Sequence, residues 1–154
     1  MRIAYIFFFT IISIYSYSQD INMSEIREAY IESSKNEKNI IRLLKICDKN
    51  KNQAIINGYK ITAEMMLLTY QYNPLKKFQI FNQKCKEMDS LIEKNILNLE
   101  IRLLRYCLQK KSPYLLGYNN KLEEDFDFIM KNINNASIEL QEFTSYILKS
   151  LEEK

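Results

Sequence analysis

The chain has 154 residues, with no histidine, no tryptophan, and only two glycines and two prolines. Its 22 basic and 19 acidic side chains leave a formal net charge of +3, which excludes the strong basic field of a nucleic-acid groove or an anionic-membrane binder. So few backbone breakers exclude a β-sandwich or barrel, which needs turn signals at short spacing, and predict an all-α fold.

Residues 1–18 have the layout of a secretory signal peptide. Arg2 gives a positive start. Ile3 to Ile14 form the apolar run, with Phe7, Phe8 and Phe9 inside it. Ser16 and Ser18 place small residues before a cut at Gln19. The run is shorter than the roughly 20 apolar residues of a membrane-spanning helix. No cysteine lies near the cut, so no lipid-modified terminus is expected. The expected product is residues 19–154 as a single all-helical domain, periplasmic or secreted, with no membrane span after cleavage.

Seven amphipathic segments follow. The first covers Ser24 to Ser34, with Ile26, Ala29, Tyr30 and Ser33 on one face. The second covers Glu37 to Asp48, with Ile40, Ile41, Leu44 and Cys47 inward. The third, Gln53 to Tyr72, carries Ile55, Gly58, Tyr59, Thr62, Ala63, Met66, Thr69 and Tyr70. Its small residues allow a close neighbour, so it is expected at the centre. The fourth opens at Asn73-Pro74, a cap followed by a proline tolerated at the first helical position. Its stripe is Phe78, Phe81, Cys85, Met88 and Ile92.

The fifth, Asn98 to Lys111, presents Ile101, Leu103, Leu104, Cys107 and Leu108. Lys110 and Lys111 suit its C-terminal dipole. The sixth opens with Asn120 and Glu123 as a capping box, and turns Leu122, Phe126, Ile129, Met130 and Ile133 inward. The seventh, Ser137 to Glu153, has Leu140, Phe143, Thr144, Ile147, Leu148 and Leu151 as its stripe. Short links predict six to seven helices in an antiparallel, repeat-like stack. No clean 34-residue recurrence accompanies it.

Without histidine, Ser-His-Asp and Cys-His catalysis and the common zinc sites are excluded. Two glycines cannot build a phosphate loop. No metal or cofactor site is expected. Cys47, Cys85 and Cys107 fall on apolar stripes and match no metal spacing, so small buried hydrophobes are the first reading. Export makes oxidation relevant. Cys85 and Cys107 lie equally far from the turn between the fourth and fifth helices, so a disulfide between them is a geometric alternative.

The densest unusual stretch is Glu100 to Asp127. Arg102 and Arg105 share a helix face, and arginine in a lysine-rich chain points to planar, bidentate pairing. Pro113 stops the fifth helix, and Gly117 permits a positive-φ turn. The apolar loop Tyr114 to Tyr118 is expected to pack down. Glu123, Glu124 and Asp125 supply carboxylates for the arginines. In one reading, the pair is a structural staple. In the other, Arg102, Arg105, Tyr106, Tyr118 and Asp125 line a site for an anionic ligand or a partner's carboxylate. Tyr70, Tyr72 and Tyr114, with Tyr106 and Tyr118, are further candidates for an aromatic surface.

The pattern Glu-Ile-Arg-x-Leu-Arg from Glu100, then Pro-x-x-Leu-Gly-Tyr from Pro113 and an acidic helix start, resembles a family of small exported, tetratricopeptide-repeat-like helical proteins of Bacteroidetes. The resemblance covers Gly58 to Ile133. It implies a helical domain and an envelope location, and no reaction. The expected function is a non-catalytic binding or scaffolding module for a protein or peptide partner. A small enzyme using the Arg/Asp/Tyr cluster, or a secreted effector or inhibitor, is the alternative.

Overall fold

Asparagine and serine caps set most of the helix starts. The computed structural model describes residues 22–50 and 53–153. The predicted signal peptide, residues 1–18, lies outside the described residues. Among the described residues the chain is all-α, with seven helices and no strand. These are α1 (Met23–Ser33), α2 (Glu37–Lys49), α3 (Ala54–Leu67), α4 (Pro74–Glu93), α5 (Leu99–Lys111), α6 (Leu122–Asn132) and α7 (Ile138–Glu152). Short 3-10 turns lie at Leu68–Tyr70, Tyr114–Leu116 and Ile133–Asn135. Asn22, Asn36, Asn73, Asn98 and Ser137 each accept a hydrogen bond from a backbone N–H in the first turn of the helix that follows. Such a cap stabilises a helix by about 1 kcal/mol. The asparagine-rich composition thus has a local use.

The α6 start differs from expectation. Asn120 and Glu123 form no capping box; Lys121 is the cap residue and its side chain makes no cap bond. Instead Gln109 of α5 reaches across, and its Oε1 accepts the Lys121 N–H at 2.9 Å. A neighbouring helix satisfies the orphan donor that the local sequence leaves open.

Consecutive helices pack on one another from α1 to α4. α5 then packs against α3, α4, α6 and α7. Ten of its 13 residues are buried, including Glu100, Arg105 and Gln109. α5, rather than α3 alone, is therefore the central helix. Gly58 lets the two approach: a Cβ there would stand 3.1 Å from Leu104 Cδ1. α7 returns to the start of the fold, where Phe143 meets the Tyr30 ring of α1 edge-on at 6.1 Å between centroids.

The stripes hold with local shifts. α1 buries Ile26, Ala29, Tyr30 and Ser33, as its spacing predicts. In α2, Leu43 is buried and Ile41 is exposed. In α6, Asp125 and Ile129 face inward while Phe126 and Met130 stay exposed. That inversion places a carboxylate in the core, and α5 supplies its partners. Phe78, predicted inward on α4, is 51% exposed because the start of α4 borders an open cleft.

Candidate functional site

Arg105 and Asp125 form the centre of a buried polar cluster between α5 and α6. Arg105 donates from Nε to Asp125 Oδ2 and from Nη2 to Oδ1, both at 2.7 Å. Arg102 Nη1 donates to Asp125 Oδ1 at 3.0 Å and to Glu124 Oε1 at 2.9 Å. Gln109 Nε2 adds a bond to Asp125 Oδ2 at 3.1 Å. Asp125 has no exposed surface, and four donated bonds replace its water. This is the planar, two-toothed pairing that arginine makes and lysine does not.

Arg105 continues to α4, where Nη1 donates to Asp89 Oδ1 at 3.1 Å. The Tyr118 hydroxyl donates to the same oxygen at 3.1 Å. The cluster therefore ties α4, α5, α6 and the segment after Gly117 together. Burial by itself lowers the Arg105 pKa, but bonding and attraction from Asp125, then Asp89, more than offset this and hold it above its ordinary value. Burial, then the charge of Asp89, pushes the Tyr118 hydroxyl well above its ordinary value. Bonds from Lys121 and then Arg102 hold the Glu124 carboxyl down at about 2. Arg102 and Arg105 are thus spent on the protein's own carboxylates and are not presented to an anion.

Four of the five sequence-predicted site residues, Arg102, Arg105, Tyr118 and Asp125, come together. Tyr106 does not. It turns away toward Phe126, with ring centroids 5.7 Å apart, and lines a separate groove with Met130, Leu148 and Leu151. Its place one residue after Arg105 puts it about 100° around the helix, on another face.

The loop before Tyr118 corrects a second expectation. Tyr114 is 84% and Leu115 95% exposed, rather than packed down. Leu116 packs partly against the core, and after Gly117, at φ 69°, Tyr118 turns fully inward.

A second buried ion pair was not legible from spacing. Arg27 of α1 donates from Nε to Glu100 Oε1 at 2.8 Å and from Nη2 to Oε2 at 2.7 Å. The Tyr59 hydroxyl of α3 donates to the same carboxylate. Glu100 is 2% exposed. The partners are 73 and 41 residues away in sequence, beyond any local pattern.

The main concavity lies elsewhere. α4 and α5 meet at the Lys94–Asn98 turn, and their far ends flank a cleft of about 800 Å³. Tyr30 and Ser33 of α1, Thr62 and Met66 of α3, Phe81 of α4 and Leu108 of α5 line it, among others. Tyr70 and Phe78 are half-exposed at its edge. Leu75, Tyr114 and Leu115, next in sequence to lining residues, and Tyr72, two residues from Tyr70 and Pro74, are strongly exposed. The Tyr70, Tyr72 and Tyr114 part of the predicted aromatic surface is thus exposed, whereas Tyr106 and Tyr118 are buried. No acidic side chain lines the cleft, and Lys77 and Lys111 do.

All three cysteines are free and buried, so Cys85 and Cys107 are not bonded to each other. Each is the small buried hydrophobe of the first reading. Equal height along two helices does not make two side chains face. Burial pushes Cys47 and Cys107 up to about 11 and Cys85 up to about 12. Few thiolates are then present near neutrality, and the thiolate is the reactive form. The expected outcome is slow alkylation of the native protein at pH 8, and modification of all three thiols in denaturant without reductant. Intact mass spectrometry reads this; two thiols that appear only after reduction would establish a bond.

Among the described residues, no group of three or more Cys, Asp or Glu is arranged to hold a metal ion. No described helix is long and apolar enough to cross a membrane. Compared with protein-family models, curated proteins and solved structures, the chain matches none of them.

Proposed function

We propose that this protein is an exported, non-catalytic binding module that takes a protein or peptide segment into the cleft between α1, α3, α4 and α5. The observation that carries the reading is the cleft itself: an apolar concavity whose aromatic and aliphatic rim is left uncovered. Large exposed apolar patches around a groove mark sites of association, and tyrosine contributes large contact area with little conformational freedom to lose. Export rests on the N-terminal pattern and on the resemblance to exported helical proteins.

The Arg102, Arg105, Tyr118 and Asp125 cluster serves as scaffold in this reading. It fixes α4, α5 and α6 and so holds the cleft walls in place. The rival enzyme reading loses support because the cluster's donors are already paired. An effector or inhibitor would use the same cleft.

Panning a random peptide display library on the protein tests the proposal. Thr69 lines the cleft and is exposed, so Thr69→Trp fills the entrance without burdening the core. The expected result is a set of binders that lose binding to Thr69→Trp. A selection that yields only binders indifferent to that substitution overturns the reading.

A further inference from the structure

We infer that the segment taken by the cleft is acidic as well as apolar, and that Lys77 and Lys111 receive its carboxylates. The inference rests on the peptide-binding reading above. Its basis is the meeting of two sequence features far apart in the chain. The lysine pairs 76–77 and 110–111 read separately as solvated helix ends. The fold brings the first turn of α4 and the last turn of α5 to one cleft, with one lysine of each pair on its wall.

Three further observations give this placement a direction. Among the described residues no aspartate or glutamate lines the cleft, so the charged groups on its lining are both cations. Neither Lys77 nor Lys111 forms an ion pair with a described carboxylate, a state they share with most of the described lysines. Both are exposed, so their ammonium groups reach an incoming ligand without first leaving a partner. An apolar lining with two uncommitted cations fits an amphipathic peptide whose apolar residues enter the cleft and whose carboxylates lie along the rim.

A bilayer surface with anionic headgroups shares this chemistry, but its shape is wrong. A flat surface leaves a concavity of about 800 Å³ unfilled, while a peptide side chain enters it. The geometry therefore favours a peptide over a membrane.

The same display selection, read for sequence, separates this inference from the reading beneath it. Binders that depend on an open Thr69 entrance are expected to be enriched in Asp and Glu beside Leu, Phe or Tyr. A synthetic peptide from that set is then titrated against the protein. Lys77→Glu with Lys111→Glu is expected to weaken it about tenfold or more, because rim charges control association and like charges repel. Raising salt from low to high ionic strength should weaken the wild-type complex and leave the double variant much less affected. Circular dichroism melting of that variant should match the wild type, since neither lysine is paired.

Binders that need the open entrance but carry no acidic enrichment, with unchanged affinity for the double variant, overturn the inference and leave the cleft reading standing. Binders indifferent to Thr69→Trp overturn both. Co-sedimentation with phosphatidylserine vesicles that the double-lysine variant loses, without entrance-dependent peptide binding, overturns the peptide in favour of a membrane surface.

Discussion

Asp125→Ala is expected to cost about 3–5 kcal/mol of folding stability, the range for removing one partner of a buried ion pair. Asp125 is fully buried and accepts bonds from Arg105, Arg102 and Gln109. Its loss leaves the Arg105 guanidinium, 6% exposed at the side chain, with Asp89 alone. Asp125→Asn keeps the shape but removes the charge, and should fall between wild type and Ala. Chemical denaturation followed by circular dichroism reads the midpoint. A companion variant, Arg105→Met with Asp125→Leu, tests the cause. If the cost is a stranded charge, replacing both partners with apolar groups recovers much of the loss. A loss below about 1 kcal/mol for Asp125→Ala would mean that the cluster is not a structural staple.

Glu100→Ala is expected to be the second large effect, at about 3 kcal/mol or more. The carboxylate is held by two bonds from Arg27 and one from Tyr59. Removing it strands a guanidinium whose side chain is 15% exposed and leaves a buried hydroxyl without its acceptor. Burial, then the charge of Glu100, already pushes the Tyr59 hydroxyl well above its ordinary pKa. It therefore acts as a donor throughout the neutral range. Tyr59→Phe removes one bond to a charged group and should cost about 1.5–3 kcal/mol. Pairing Arg27→Met with Glu100→Gln in a double-mutant cycle should show a coupling of about 1–3 kcal/mol. No coupling would mean that the pair contributes through packing alone, with the charges solvated in practice.

The two clusters illustrate what can be read from spacing. Arg102 and Arg105 stand three apart on α5, and Glu124 and Asp125 open the next helix. A pair of cations on one face, followed by a nearby acidic helix start, implies a local staple, because a short connection brings the groups together. Arg27, Tyr59 and Glu100 lie on α1, α3 and α5. Nothing in the spacing of any one helix marks them as partners. A charged residue on an otherwise apolar face was the available signal: Leu103 and Leu104, three and four residues after Glu100, are both buried.

Some misreadings have the same origin. Phe126 and Met130 share the helical period with Ile129 on α6, yet of these three only Ile129 is buried, with Asp125 beside it. Periodicity reports which residues share a face. It does not report how the helix turns when Arg105, Arg102 and Gln109 together offer Asp125 four hydrogen bonds. A Cys85–Cys107 bond, the alternative to small buried thiols, is not formed. The apolar loop Tyr114–Tyr118 packs down at Leu116 and Tyr118 alone, while Tyr114 and Leu115 stay exposed.

The sequence by itself determined the helical class, the Asn73 cap and most of the buried stripes. Those properties depend on groups within a turn or two of each other, so spacing and residue type carry them. The tertiary structure alone decided that α5 is the central helix, that Glu100 joins Arg27 and Tyr59, and that the ends of α4 and α5 flank one cleft. It also brought Lys77 and Lys111 to the same cleft. Such placements are set by helix rotation and long-range packing, where many weak contacts decide together, and no short stretch of sequence encodes their sum.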